Sequence, residues 1–412
     1  MTNLDLPALQ RRTVRVLTVG QVLSGFGLGS TLSIGSLLAQ DLTGSTAWAG
    51  AAATFSTLGA ATWAIPLARR AYAKGRRVAL ASGAAIAITG AALIITAAGI
   101  RFFPLLLVAL FLMGAGSATG LQARFAATDL PSSKSTGRDL SLVVWATTIG
   151  AVIGPNLFGP GEVIGGILGL PHMTGPFFLT ILSQIAASSV FWFGLRPDPL
   201  LTAQQLGDAR AAKPKLSIAS AIATLKQYPK AAYAVITIAL SHMVMVSVMS
   251  MTPAHLKLHG ATLVVVGFTI SIHIAGMYAF SPIFGWLSDK IGKIQTVVLA
   301  QVIFIAALLF AGLGMEDHQS VLIGLFLLGL GWSAATVSAS ALLTSSLPIE
   351  LKTNVQGLSD SLMNLSGAFG GAISGSIMAA LMFVGLNFAA MIPVSIILVL
   401  TGLVLLKNKQ TA

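Results

Sequence analysis

Gly285-Trp286-Leu287-Ser288-Asp289-Lys290-Ile291-Gly292-Lys293 is a short polar stretch between two long apolar runs, 262–284 and 295–314. At ~1.5 Å of helical rise per residue, a run of about 20 apolar residues crosses the ~30 Å hydrocarbon layer of a bilayer. Working outward from this stretch, runs of that length recur over 14–38, 47–68, 78–100, 103–124, 141–168, 175–195, 230–252, 320–342, 355–382 and 385–406. Apolar residues make up 55% of the chain and charged residues only 9%, and the mean hydropathy is +0.87. Those values exclude a soluble globular protein and predict an all-α membrane protein with twelve transmembrane helices.

The net charge of +12 is distributed as topology rather than as a nucleic-acid footprint. With the N-terminus inside, Arg11, Arg12 and Arg15, then Arg69, Arg70, Lys74, Arg76 and Arg77, then Arg124, Lys134 and Arg138, then Lys290 and Lys293 all fall on the cytoplasmic side. Only Arg101 and Lys257 fall outside. Both termini are therefore expected in the cytoplasm, in a multi-pass protein of the cell membrane that functions as a monomer and binds no nucleic acid. No cleavable signal peptide is expected, because the first apolar run is too long and leads straight into further spans. The chain has no cysteine, which excludes disulfides and thiolate metal sites.

A polar, proline-rich stretch over 196–229 divides six spans from six. It predicts a 1–195 bundle, a cytoplasmic linker with a short surface helix over 216–227, and a 230–412 bundle. The halves carry matching landmarks at an offset of 217, Gly75 with Gly292 and Leu130-Pro131 with Leu347-Pro348. Such an offset predicts two pseudo-symmetric six-helix bundles related as a repeat.

The Gly285–Lys293 stretch resembles the signature loop of the major facilitator superfamily, Gly-x-x-x-Asp-Arg/Lys-x-Gly-Arg/Lys. The first-half copy keeps Gly75-Arg76-Arg77 but has Tyr72 in place of the Asp. Gly150-Ala-Val-Ile-Gly154-Pro155 resembles the superfamily's fifth-helix motif, whereas Leu110 stands where the fourth-helix motif of many proton antiporters has Arg. The resemblance covers about residues 14–406 and implies that Gly285, Asp289, Lys290, Gly292 and Lys293 form a conformational gate. A carboxylate such as that of Asp289 favours a helix N-terminus in one state and releases it in the other.

Two further patterns bear on cargo. Met245 and Met249 lie four residues apart, as do His273 and Met277, so each pair shares a helix face, and His242 extends the first stripe. With 252–261 as an outer loop, the two helices are expected to be antiparallel neighbours, with His242 and His273 roughly 15 Å deep. Thioether and imidazole suit Cu(I), although Met is also an ordinary packing residue and His an ordinary helix–helix hydrogen-bonding group. Within the superfamily these pairs are similar to the paired motifs of the CcoA-like copper importers, which implies a metal path through Met245, Met249, His273 and Met277. The same branch includes riboflavin importers.

His172, His255, His259 and His318 fall in outer loops, where capture of an arriving metal and simple solvation are both open. Glu162, between glycines and a proline, is a candidate proton-coupling carboxylate if the fifth span reaches it, and an interfacial group if that span ends early. Arg124 and Asp129 bracket the end of the fourth span as gate or loop contacts, and Asp360 is placed to pair with a basic loop residue.

No phosphate-binding loop, His-Glu-x-x-His or nucleophile elbow occurs, so neither an enzyme nor an ATP-driven pump is expected. The expectation is a secondary transporter with alternating access and no cofactor. Copper uptake stands first, with copper as cargo, and import of a riboflavin-like molecule or proton-coupled drug export is the alternative.

Overall fold

The computed structural model describes residues 5–44, 51–130, 136–156, 158–206, 217–261 and 263–410. Among these residues the elements are all helices: α1 Leu6–Thr43, α2 Ala51–Lys74, α3 Arg76–Gly99, α4 Phe103–Ala126, α5 Thr136–Asn156, α6 Phe158–Ile167, α7 Gly175–Gly194, α8 Pro199–Leu206, α9 Ile218–Gln227, α10 Pro229–Leu258, α11 Leu263–Tyr278, α12 Ser281–Ile291, α13 Lys293–Leu313, α14 His318–Ser345 and α15 Ile349–Gln410. Several begin at local signals. Asp5 caps α1 by accepting from the Ala8 N–H at 3.1 Å. Asp317 caps α14 by accepting from the amides of Gln319 and Ser320; the Ser320 hydroxyl, which also donates to it, and then those amides lower its pKa. Prolines occupy the first turns of α4, α7 and α12, where a missing N–H costs nothing.

Among the described residues, eight helical stretches are long and apolar enough to cross a membrane. The expected spans over 14–38, 47–68 and 141–168 correspond to α1, α2 and the α5–α6 pair. The longest stretch, α15, is two spans. Its helical path breaks at Met382 (φ 62°, ψ −177°), and its contacts with α10 reverse order there. Gly367 abuts His242, Ser374 lies 3.1 Å from Ser250, and Phe383 stacks on His255 with ring centroids 4.1 Å apart. Then Thr401 returns to Tyr233 at 2.7 Å. The protein is thus an all-α, twelve-span membrane protein.

The chain divides into two compact units. One comprises residues 1–132, 142–221 and 349–361; the other comprises 133–141, 222–348 and 362–412. Each unit borrows a short segment from the opposite half of the sequence. In the first unit, α4 packs between α2 and α3. Gly59 lies against the Phe111 carbonyl, Gly114 against the Ser56–Ala60 backbone, and Gly90 against Ala109 and Met113. In the second unit α14 is the central helix, with α10, α11 and α13 packed along it. Small residues at these crossings let backbones approach closely, which is the main source of attraction between helices in lipid.

The repeat is visible in two turns. Gly75 (φ 89°, ψ 164°) joins α2 to α3, and Gly292 (φ 109°, ψ 150°) joins α12 to α13. That backbone region strongly disfavours residues with a Cβ, which explains why glycine stands at both positions. The Gly285–Ile291 part of the signature stretch is not a loop, however. It is helical, within α12, and the chain turns only at Gly292. The eighth run likewise divides into α11 and α12, with Pro282 in the first turn of the second helix.

In the stretch between the bundles, α9 lies where a short helix was expected, and α8 is an additional one; residues 207–216 lie outside the described residues, as do Pro131 and Lys134.

Candidate functional site

In the first unit, four charged groups lie buried in a polar layer. Arg76, the first residue of α3, makes a bidentate pair with Asp129 just beyond α4. Its Nε donates to Oδ2 at 2.7 Å and its Nη2 to Oδ1 at 3.0 Å. The same Nη2 donates to Gln356 Oε1 at 2.7 Å. One turn further along α15, Asp360 Oδ1 accepts from Arg124 Nη2 of α4 at 2.6 Å. Side-chain exposure is 0% for Arg76, Asp129 and Asp360 and 2% for Arg124. Burial pushes the Asp129 carboxyl above its ordinary value, and the Arg76 guanidinium pulls it back only in part. The segment 349–361 is thus tied to α3 and α4 by desolvated ion pairs. Such bonds are costly to leave half-made. The expectation that Asp360 pairs with a basic loop residue is corrected, because its partner Arg124 belongs to α4. Arg76 and Gln356 carried no signal beyond topology and packing; their roles depend on partners 53 and 280 positions away.

In the second unit, Asp289 sits at the N-terminus of α5, where Oδ1 accepts from the Gly137 N–H at 3.0 Å and Oδ2 from the Arg138 N–H at 2.9 Å. Gly285, one turn earlier on α12, lies against the Gly137 carbonyl and Ser141, and a Cβ there has no room. Ser281 Oγ donates to the Ser141 carbonyl at 3.1 Å. The carboxylate therefore meets orphan amides at the positive end of a helix. Lys290 points elsewhere, its Nζ 4.5 Å from the centre of the Trp286 ring, and Lys293 donates to Ser345 Oγ at 3.0 Å.

The Met/His stripes do not lie on neighbouring helices. α14 lies between α10 and α11, which touch each other little. On one side, Trp332 Nε1 donates to His242 Nδ1 at 3.0 Å, and Tyr278 meets the Trp332 ring edge-on at 5.6 Å. On the other side, His273 Nδ1 donates to the Leu325 carbonyl at 2.8 Å, which makes Nε2 the lone-pair nitrogen, buried without a partner. Met245 and Met277 are buried and Met249 half-buried. Helical spacing gave each stripe its face correctly, but the adjacency of the two helices was wrong. The physical reason is the close crossing of Gly276 with Gly329, which seats α11 on α14 rather than on α10. Among the described residues, no group of three His, Asp or Glu side chains is placed to hold a metal.

A family description of the Major Facilitator Superfamily matches residues 234–412. The chain is 37% identical over 374 residues to the uncharacterized MFS-type transporter YddS of Bacillus subtilis, covering 90% of this chain and 86% of that one. The chain belongs to the major facilitator superfamily. The riboflavin transporter RfnT of Brucella anthropi is 27% identical over 401 residues, 94% of each chain. Among solved structures, the human organic anion transporter MFSD10 superposes with a TM-score of 0.75 at 15% identity, over 95% of this chain and 99% of that one.

As a facilitator-family protein, the chain is a membrane transporter of a small solute. Glu162 lies midway along α6, which continues to Ile167. Its Oε2 accepts from the Met173 N–H at 3.1 Å and lies 3.1 Å from His172 Nδ1. The helical path of the fifth span reaches Glu162 and continues past it, so the span does not end early. His255 Nε2 meets the Met315 carbonyl at 2.8 Å, His259 Nδ1 the His255 carbonyl at 2.9 Å, and His318 Nε2 the His259 carbonyl at 3.2 Å. These three histidines knit the end of α10 to the start of α14.

Proposed function

We propose that this facilitator-family chain is a monomeric secondary carrier of a ring-containing organic solute, such as a riboflavin-like molecule, in the cell membrane with both termini in the cytoplasm. The observation that carries the substrate class is the His242–Trp332–Tyr278 cluster. It groups two aromatic rings and an imidazole, with His242 of α10 hydrogen-bonded to Trp332 of α14. Planar rings stack on such surfaces, and a few fixed polar groups orient them. The similarity to RfnT supports the same class.

Three charged contacts support a reading by alternating access. Arg124–Asp360 and Arg76–Asp129–Gln356 hold the first turns of α15, while Asp289 holds the first turn of α5. Each contact has two arrangements available to it, made or broken, which is what a two-state carrier needs. Asp289 with Gly285, Gly292, Lys290 and Lys293 is the gate in this reading. Glu162 serves as a loop latch to His172 rather than as the proton carrier.

Copper is the second reading, and it rests on one observation, the unpartnered Nε2 of buried His273. It requires Met277 of the same helix to turn to that nitrogen and α10 to deliver Met245 and Met249 to it across α14.

Uptake of radiolabelled riboflavin and of copper into cells lacking their own carriers separates the two. Wild type is expected to accumulate the vitamin, and Trp332→Ala to lose at least tenfold of that flux, with copper unchanged throughout. Copper accumulation that disappears in Met245→Ala/Met249→Ala and in His273→Ala, without vitamin flux, would reverse the order of the two readings.

A further inference from the structure

A cleft of about 530 Å³ opens in the second unit where the α9–α10 elbow, the first turn of α13 and the last turn of α14 meet. Its lining carries two ammonium groups, Lys230 and Lys293, together with Tyr228, Gln295 and Ser345, and among the described residues no carboxylate. Lys293 is held across the cleft by its bond to Ser345 Oγ at 3.0 Å. α13 starts at Lys293 behind Gly292, which supplies no side-chain cap. The amides of that first turn, including those of the lining residues Ile294 and Gln295, therefore have no acceptor within the helix. Asp289 acts electrostatically on Lys293, but it is not part of the lining and both its oxygens are taken by α5 amides.

Each of these features favours an anion, and together they exceed what a solvated surface lysine offers. Two cations on separate elements converge on one concavity, and its size lies in the range that holds a small ligand. Pro229 and Leu342 give the same cleft an apolar wall, and α9 beside it exposes Ile222, as helices at a membrane surface do. We propose that this cleft binds a phosphate group, carried either by an anionic phospholipid headgroup or by a soluble phosphate ester.

The test uses the full-length protein purified in detergent. Thermal unfolding and retained ligand by native mass spectrometry are followed with phosphatidylglycerol, phosphatidylcholine or inorganic phosphate added. Phosphatidylglycerol is expected to raise Tm by several degrees and to be retained at least tenfold better than phosphatidylcholine. Lys230→Gln/Lys293→Gln is expected to abolish both effects, and Lys230→Arg/Lys293→Arg to keep them. A shift with inorganic phosphate that the glutamine pair removes supports the site with a soluble ligand. If the glutamine pair does not fold, exposed Lys230→Gln alone must weaken retention at least threefold. The proposal is overturned by equal retention of the two lipids with no phosphate effect, or by unchanged binding in a folded glutamine variant.

Discussion

Arg76 and Asp129 show how much a single buried contact can decide. Each is fully desolvated, and the bidentate geometry with Gln356 as a third partner engages Nε and Nη2 of Arg76 but leaves its buried Nη1 without an acceptor. Removing one member leaves the other charged and dry, at a cost of about 3–5 kcal/mol. Arg76→Met is expected to lower stability by that order at neutral pH. The loss should shrink on acidification, because burial already raises the Asp129 carboxyl and loss of the guanidinium removes the main group that restrains that rise, leaving only the more weakly acting Lys352. Between the unfolded carboxyl value of ~3.9 and the folded one, the folded state binds a proton that the unfolded chain does not. Stability of the variant therefore declines as pH climbs through that interval and levels off above it. Thermal unfolding of wild type and variant across about pH 5 to 8 measures this; parallel curves would refute the assignment. Arg124, Asp129 and Asp360 stood out in the sequence as charges near the ends of apolar runs. Their pairing did not, because Arg124 and Asp360 are 236 positions apart.

At the scale of elements, α14 organises the second unit because it presents small residues on several sides. Gly329 meets the His273 carbonyl and Met277 amide of α11, Gly324 meets Ala307 and Ala311 of α13, and Gly331 lies on the Phe304 ring. A side chain at Gly329 meets backbone, which cannot rotate away. Gly329→Val is expected to separate α11 from α14 and to lower the amount of folded protein recovered from membranes several-fold. Gly267→Val, where a Cβ meets open space, should be close to neutral. Size-exclusion recovery of the two variants side by side checks this, and equal recovery would contradict the packing argument. The same small residues were legible beforehand only as composition, 43 glycines in an apolar chain, since their neighbours were not.

For the whole molecule, Asp289 is the group whose alteration should move a population rather than break a fold. Its carboxylate at the α5 N-terminus contributes roughly 0.3–1 kcal/mol of helix-end electrostatics, and up to ~2 kcal/mol where partly buried. Asp289→Asn removes the charge while keeping the shape, so the balance between carrier states should shift several-fold with little loss of stability. The chain has no native cysteine, so single cysteines introduced along α5 and α12 report this as labelling rates in membranes. Unchanged rates with reduced transport would assign Asp289 a static role instead.

The order of amino acids determined the number and length of the spans, the two glycine turns and the position of the Asp289 carboxylate. Hydrocarbon demands runs of fixed length, and the positive-φ turns at positions 75 and 292 strongly favour glycine. Helical spacing likewise put Met245 with Met249, and His273 with Met277, on common faces. Only the tertiary structure decided what those faces meet. Placing α14 between α10 and α11, pairing Arg124 with Asp360 and seating Asp289 on α5 all depend on which backbones can approach most closely. That is a property of two helices at once, and no single run of residues contains it.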